Sequence, residues 1–363
     1  MARLRRLWLT DFRGYRELDV TFSEGVTAIL GDNGQGKTNL VEAIAWLATL
    51  SSFRGAPTEA LIRRGADRAI VRAEIDSDGR EVLIEAEIPR TGRTRVQVNR
   101  QRLTRGRELM GVVRATVFAP DDLRLIKEGP GERRRFLDEL LAARHPKFDE
   151  QRAAVDKVLR QRNTLLKQAG GRLTEEVAIT LDVWDTKLVT SGTALADRRV
   201  ETLSLLEPHL ATAYDQLAGQ PAQVSMHYDA PWRGGGLAEA LATSRRDDLR
   251  RGVTTVGPHR DDVVLAIGGL AARTHASQGE QRSLALALRL AAQRLATEET
   301  GQAPILILDD VFSELDPDRS DALLAQLPDS QALLTSAAGL PPRARPDCTW
   351  SIVDHHLTEV PDD

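Results

Sequence analysis

The sequence predicts an α/β protein with a phosphate-binding loop (P-loop), an antiparallel β meander and an inserted helical lobe. Three observations carry this. Gly31 to Thr38 read G-D-N-G-Q-G-K-T, a match to G-x-x-x-x-G-K-[ST], with an apolar run before it and helical spacing after it. Pro304 to Asp310 read P-I-L-I-L-D-D, an apolar strand ending in two carboxylates, which is where open parallel sheets bind ligands. Between these segments, residues 71–98 alternate like strands and residues 121–250 are mostly of helical period.

At 363 residues the chain exceeds one usual core, so two lobes are expected: a head from 1–120 and 251–363, and an arm from 121–250. A hydrophobic content of 41% and a charged content of 28% exclude a disordered chain. The single cysteine, Cys348, excludes a disulfide framework and suits a reducing cytoplasm. The first residues lack the apolar segment of a signal peptide, and no apolar stretch is long enough to predict a membrane span. A net charge of -4 leaves nucleic acid open, because binding depends on where the charge sits.

In chain order, Leu4–Leu9 and the alternating Leu18, Val20 and Phe22 read as two strands around the loop Thr10–Arg16. Val26–Leu30 reads as a buried strand, and Asn39 onward as a helix through Leu40, Ile44 and Leu47. Val71, Ala73 and Ile75, then Val82, Ile84, Ala86 and Ile88, then Val96 and Val98 mark the meander, and Ala115–Phe118 a further strand. Helices are predicted over 132–143, 147–168, 174–217 and 237–251, with strand character at 223–228, 253–256 and 263–267. Asp316 and Pro317 suit the N-cap and first position of a late helix, before a strand over 331–336.

The chemistry follows from residue type and spacing. Gly31, Gly34 and Gly36 allow a tight turn and close backbone approach, while Asp32, Asn33, Gln35 and Asn39 complete the loop and the helix start. Lys37 can reach terminal phosphates and Thr38 can ligate Mg²⁺; Asp309 would hold Mg²⁺ and Asp310 would polarise the attacking water. ATP and Mg²⁺ are the expected ligands. Ser277-Gln278-Gly279-Glu280 precedes a long amphipathic helix and fits two readings: a helix-capping box, or a signature motif that meets the γ-phosphate held by a second copy.

The pieces L-x-x-F-R-x-Y at Leu9–Tyr15, F-A-P-D-D-L at Phe118–Leu123, E-R-R-R-F-L-D at Glu132–Asp138, G-P-H-R-D-D at Gly257–Asp262, S-Q-G-E-Q-R at Ser277–Arg282 and L-D-D-V-F-S-E-L-D at Leu308–Asp316 span most of the chain in order. With the P-loop they give a sequence that resembles the RecF family of recombination-repair proteins, related to SMC-type heads. The resemblance implies an ABC-type P-loop ATPase head whose two copies close on ATP as a homodimer. It implies binding to gapped DNA and single-stranded/duplex junctions, RecO and RecR as partners, recombinase loading, roles in replication and the SOS response, and a cytoplasmic, nucleoid-associated place. A weak, DNA-stimulated ATPase used as a switch is expected, because Asp310 stands where most relatives have Glu and Thr335-Ser336 where many have a switch histidine. No Q-loop glutamine is evident, since Gln97 and Gln101 are poorly placed. The rival readings are an SMC-like clamp indifferent to ATP, a transporter ATP-binding subunit and a P-loop kinase. The last leaves Ser277–Gln281 unexplained.

The expected DNA surface is the run Arg90, Arg93, Arg95, Arg100, Arg102, Arg105 and Arg107, the densest positive stretch of the chain, which contains no acid. Arginine forks suit backbone phosphates, and the lack of interleaved aromatics argues against base stacking. Arg133–Arg135 is the competing patch, and the Gly257–Asp262 loop fits either a salt-bridged turn or a functional site.

Overall fold

Apolar alternation in the first 100 residues builds one face of a six-stranded antiparallel sheet. Its order is Tyr15–Thr21, Ala2–Phe12, Arg68–Ser77, Arg80–Pro89, Arg95–Val98 and Gln101–Arg102. Leu7, Leu9, Val71, Ala73, Ile84 and Ala86 are buried on that face. The computed structural model describes residues 2–77, 79–104, 106–109, 112–144, 148–219, 221–327 and 330–361. The first two strands run closer together than expected. Phe12 pairs with Tyr15, so the connection is only Arg13-Gly14, because both aromatics are fully buried.

A second six-stranded sheet has the order His356–Val360, Cys348–Val353, Val26–Leu30, Ala332–Ser336, Ile305–Asp309 and Ala115–Phe118; only the first pair is antiparallel. Val26–Leu30 thus lies between two strands from the far end of the sequence. Lys37–Thr49 forms the P-loop helix, and Leu40, Val41, Ala43, Ile44, Trp46 and Leu47 are buried around nearly its whole girth. A helix apolar on all sides must be enclosed, and these residues share one core with residues of both sheets. Each of the Leu, Val and Ile side chains contributes about 1.5–3 kcal/mol on burial. Glu42 is the exception in that interior: its carboxylate accepts Nε and Nη2 of Arg13, both at 2.7 Å, and the Ser52 hydroxyl at 2.5 Å.

The chain divides into two units, Met1–Leu123 with Thr212–Pro221 and Arg282–Asp363, and Arg124–Ala211 with Ala222–Gln281. The head was expected to resume at 251. Instead residues 251–281 stay with the helical unit, because Asp262–Ile267 pairs antiparallel with Val224–Asp229. That unit carries Pro130–Arg144, Phe148–Ala169, most of the 44-residue helix Glu175–Ala218, and Leu237–Arg251. The predicted strand at 253–256 is irregular. Its amides are taken by side chains, Thr254 N donating to Asn163 Oδ1 at 2.8 Å and Thr255 N to Asp248 Oδ1 at 2.9 Å, which leaves no ladder to extend.

Candidate nucleotide-binding site

Strand Val26–Leu30, in the middle of the sheet, delivers the chain to Gly31 at its end, and the loop turns back into Lys37–Thr49. Each glycine has its own reason. A Cβ on Gly31 would lie 2.4 Å from the Ile352 carbonyl oxygen, so the neighbouring strand forbids a side chain there. Gly34 and Gly36 hold φ of 85° and 110°, which L side chains rarely adopt. Gly36 caps the helix with no side-chain acceptor, and the first turn carries no acid. Among the described residues the helix therefore begins with N–H groups that have no side-chain cap and an uncompensated positive end, as an anion site requires. Lys37 is buried beside it, its ammonium donating to Gly31 O at 2.6 Å and Asp32 O at 2.9 Å. Tyr15 O–H donates to Gly36 O at 3.0 Å, and burial pushes its pKa up, so it stays a donor.

Strand Ile305–Asp309 ends opposite the loop. Thr38 Oγ1 donates to Asp309 Oδ1 at 3.1 Å, which brings together the two side chains expected to share a cation. Thr335 Oγ1 donates to the same oxygen at 2.7 Å. Burial raises the pKa of Asp309, opposed by these two hydroxyls. Asp310 takes φ 51°, a left-handed turn that its short polar side chain tolerates. Its N–H donates to Thr335 O at 3.1 Å and Thr335 Oγ1 at 3.0 Å, and its Oδ1 accepts from Ala337 N at 3.3 Å. Thr335 thus holds the Asp309 carboxylate and the Asp310 backbone N–H at once, a role that no local pattern in the sequence marks. Oxygen ligands from a hydroxyl and a carboxylate suit Mg²⁺.

Gln35 does not turn its side-chain oxygen into the loop: Oε1 accepts from Asp354 N at 2.6 Å. Arg13, from the L-x-x-F-R-x-Y stretch, is spent on Glu42. Gln97 and Gln101 lie on the last two strands of the antiparallel sheet. Asp122 of the F-A-P-D-D stretch accepts Arg289 Nε at 3.0 Å and Nη2 at 2.6 Å and the Ala119 N–H at 3.0 Å.

In the helical unit, Ser277 and Glu280 form a reciprocal capping box: Ser277 N donates to Glu280 Oε2 at 2.7 Å and Glu280 N to Ser277 Oγ at 3.3 Å. Ser277 and Gln278 are exposed at the start of Gln278–Thr300, and Gly279 follows half-buried. The Gly257–Asp262 loop is a salt-bridged turn. Asp261 accepts Tyr228 O–H at 2.8 Å and Trp232 Nε1 at 2.7 Å, and Asp262 takes Arg133 at 2.8 and 2.9 Å. Arg199 pairs with Asp138 and donates to Pro258 O at 2.7 Å. Burial pushes His259 down to about 4, so it is neutral and its Nε2 donates to Thr254 O at 3.0 Å. The competing patch is largely spoken for: besides Arg133, Arg134 donates to Asp261 O at 2.5 Å and Arg135 pairs with Glu132.

The arginine run lies at the edge of the antiparallel sheet, and it is not one free patch. Arg90 donates to Ala66 O at 3.1 and 2.7 Å, and Arg95 pairs with Glu87 at 3.3 Å. Arg93, Arg100 and Arg102 are exposed and carry no ion pair among the described residues. Arg105 and the Arg107 side chain lie outside the described residues. The open face of the sheet is balanced instead: Arg6 and Arg72 flank the Trp8 ring at 4.6 and 5.8 Å and pair with Asp19 and Glu85.

The family model described as RecF/RecN/SMC N terminal domain matches residues 3–336. "DNA replication and repair protein RecF" of Streptomyces avermitilis is 45% identical, with 91% of this chain and 92% of the relative covered. The protein of the same name from Kineococcus radiotolerans is 43% identical, with 92% of each covered. A solved structure described as the recombination mediator protein RecF-ATPrS in the RecFOR pathway superposes with a TM-score of 0.90 at 30% identity, over 99% of this chain and 98% of the other. An SmcHead bound to the C-winged helix domain of ScpA shares the fold alone, with a TM-score of 0.58 at 18% identity and coverage of 98% and 96%. The fold is an ABC-type ATPase head with an inserted helical lobe, and the chain belongs to the RecF family.

Proposed function

We propose that this chain is an ATP-switched DNA-binding protein of recombinational repair. The observation that carries the nucleotide half is the uncapped helix start with Lys37 beside it, facing a Thr38–Asp309–Thr335 cluster. Backbone N–H groups of the loop and Lys37 would hold the phosphates; Thr38 and Asp309 would hold Mg²⁺, which would neutralise phosphate charge when bound. Asp310, fixed by Thr335 and Ala337, orients and deprotonates the attacking water as general base. A carboxylate one methylene shorter than Glu reaches less far, which suits slow turnover that resets a switch.

The same reading makes the protein a homodimer with ATP, the Ser277–Glu280 segment of one copy completing the P-loop site of the other. ATP then favours the dimer by its differential affinity for it. The relatives' description as DNA replication and repair proteins, and the solved relatives described with ATP and ATPrS in the RecFOR pathway, support gapped or junction DNA as target and RecR and RecO as partners. DNA binding to gapped, duplex and single-stranded probes, with and without ATP, is the test, alongside sedimentation. The expected result is ATP-dependent binding, lost in Lys37→Ala, and an ATP-induced dimer, lost in Ser277→Arg. DNA binding unchanged by ATP and by Lys37→Ala would favour a clamp that does not use its nucleotide site.

A further inference from the structure

The segment after Ser336 carries none of the motifs above, yet it touches the P-loop at three points. Strands Cys348–Val353 and His356–Val360 form a hairpin whose two-residue turn is Asp354-His355. Both turn residues have positive φ, 47° and 65°. That backbone favours Asn-Gly, and a histidine there is strained. Strain of this kind persists where surroundings impose it and points to a use for the side chain. The His355 ring lies edge-on to Tyr15, 5.2 Å between centroids at 84°. It fills the space where a Cβ on Gly14 or Gly36 would stand, 1.9 Å from Nε2 and 3.0 Å from Cδ2 respectively. Asp354 N holds the Gln35 side chain, and Ile352 O closes the space beside Gly31.

Gly31, Gln35 and Gly36 are therefore each fixed from outside by this hairpin. We propose that Asp354 and His355 are positioning residues of the nucleotide site, which set the P-loop conformation that receives phosphate groups. This rests on the nucleotide reading given above. The hairpin acts through the loop rather than on the ligand. Tyr15, pressed by the ring, donates to Gly36 O at the helix start, and Gln35 is tethered at the crown of the loop.

The full-length chain is titrated with ADP and with inorganic pyrophosphate by calorimetry. His355→Ala is expected to weaken both probes by the same factor, roughly three- to tenfold, the worth of an aromatic contact. His355→Phe keeps a ring against Tyr15 and is expected to restore both. The Asp354→Asn/His355→Gly pair relaxes the turn, so its Tm holds or rises, and yet it binds both probes as weakly as His355→Ala. A loss confined to ADP would overturn the proposal by placing the ring on the base or ribose. Unchanged binding in His355→Ala and in the Asn-Gly variant would sink it while leaving the nucleotide reading intact. A wild-type chain that binds neither probe sinks both.

Discussion

Replacing Thr335 with valine removes one hydroxyl and almost no volume. Thr335 is fully buried, so water cannot take the lost place. Its Oγ1 donates to Asp309 Oδ1 at 2.7 Å and accepts from Asp310 N at 3.0 Å. The second bond has a substitute, since Asp310 N also donates to Thr335 O. Beside the first, among the described residues, stands only the longer Thr38 bond at 3.1 Å. A hydrogen bond to a charged acceptor contributes about 1.5–3 kcal/mol, and that is the expected loss of unfolding free energy at neutral pH, read by urea denaturation. The deficit has a pH signature. The hydroxyl favours the ionised carboxylate, so its loss is felt when Asp309 is charged. Asp309 is raised by burial, so in the wild type it favours folding at low pH, an advantage lost as pH climbs through its folded value. The difference between wild type and Thr335→Val should therefore narrow as pH falls toward the ordinary carboxylate range, about 3.9. A deficit below about 0.5 kcal/mol, set against that expected charge-assisted loss, or one constant across pH, would refute the assignment of Thr335 as a brace on a charged Asp309.

Glu42→Ala should destabilise the fold by about 3–5 kcal/mol by stranding Arg13, and Arg13→Met/Glu42→Leu should regain most of that; additive losses in the double-mutant cycle would count against a coupled pair. Stability should fall as pH drops from about 6.5 toward the His259 value of about 4, because the unfolded chain takes the proton first, with a slope of up to about 1.4 kcal/mol per pH unit that His259→Asn flattens. Arg93, Arg100 and Arg102 to Ala should weaken DNA binding across sequences and flatten the plot of log K against log salt by about 0.7–0.9 per lost phosphate contact. An unchanged slope would move the DNA surface elsewhere.

What the sequence made legible was what neighbours in sequence decide. The P-loop, the apolar run before Asp309 and Asp310, the capping box at Ser277 and the alternation of the meander are all local patterns, and each appears where it was expected. Contacts across hundreds of residues left no such trace. In the sequence Thr335 stands out only as the place where many relatives have a switch histidine; its bond to Asp309 appears when the sheet sets the two side by side. Asp354-His355 lacks the Asn-Gly signal of a tight hairpin, so nothing marked the turn that packs on Gly36. Val253–Val256 looked like a strand because its β-branched residues fit one. The side chains of Asn163 and Asp248 outcompeted any partner strand for its amides. The arginine run was correctly read as basic, but which arginines are already engaged depends on Ala66 and Glu87, which composition cannot reveal.

The central strand Val26–Leu30 has both its partners, Ala332–Ser336 and Cys348–Val353, some three hundred positions later in the sequence. On a translating ribosome adding about 5–20 residues per second, that strand waits about 15–60 s with both edges bare. Unpaired apolar edges of this kind invite pairing with other chains. The helical unit, by contrast, is complete once Gln281 has been made. The nascent protein thus passes through a stage in which its arm can fold while G-D-N-G-Q-G-K-T is still a flexible peptide. Nucleotide cannot steady that intermediate through the finished site, because the strands that flank Val26–Leu30 have yet to be synthesised.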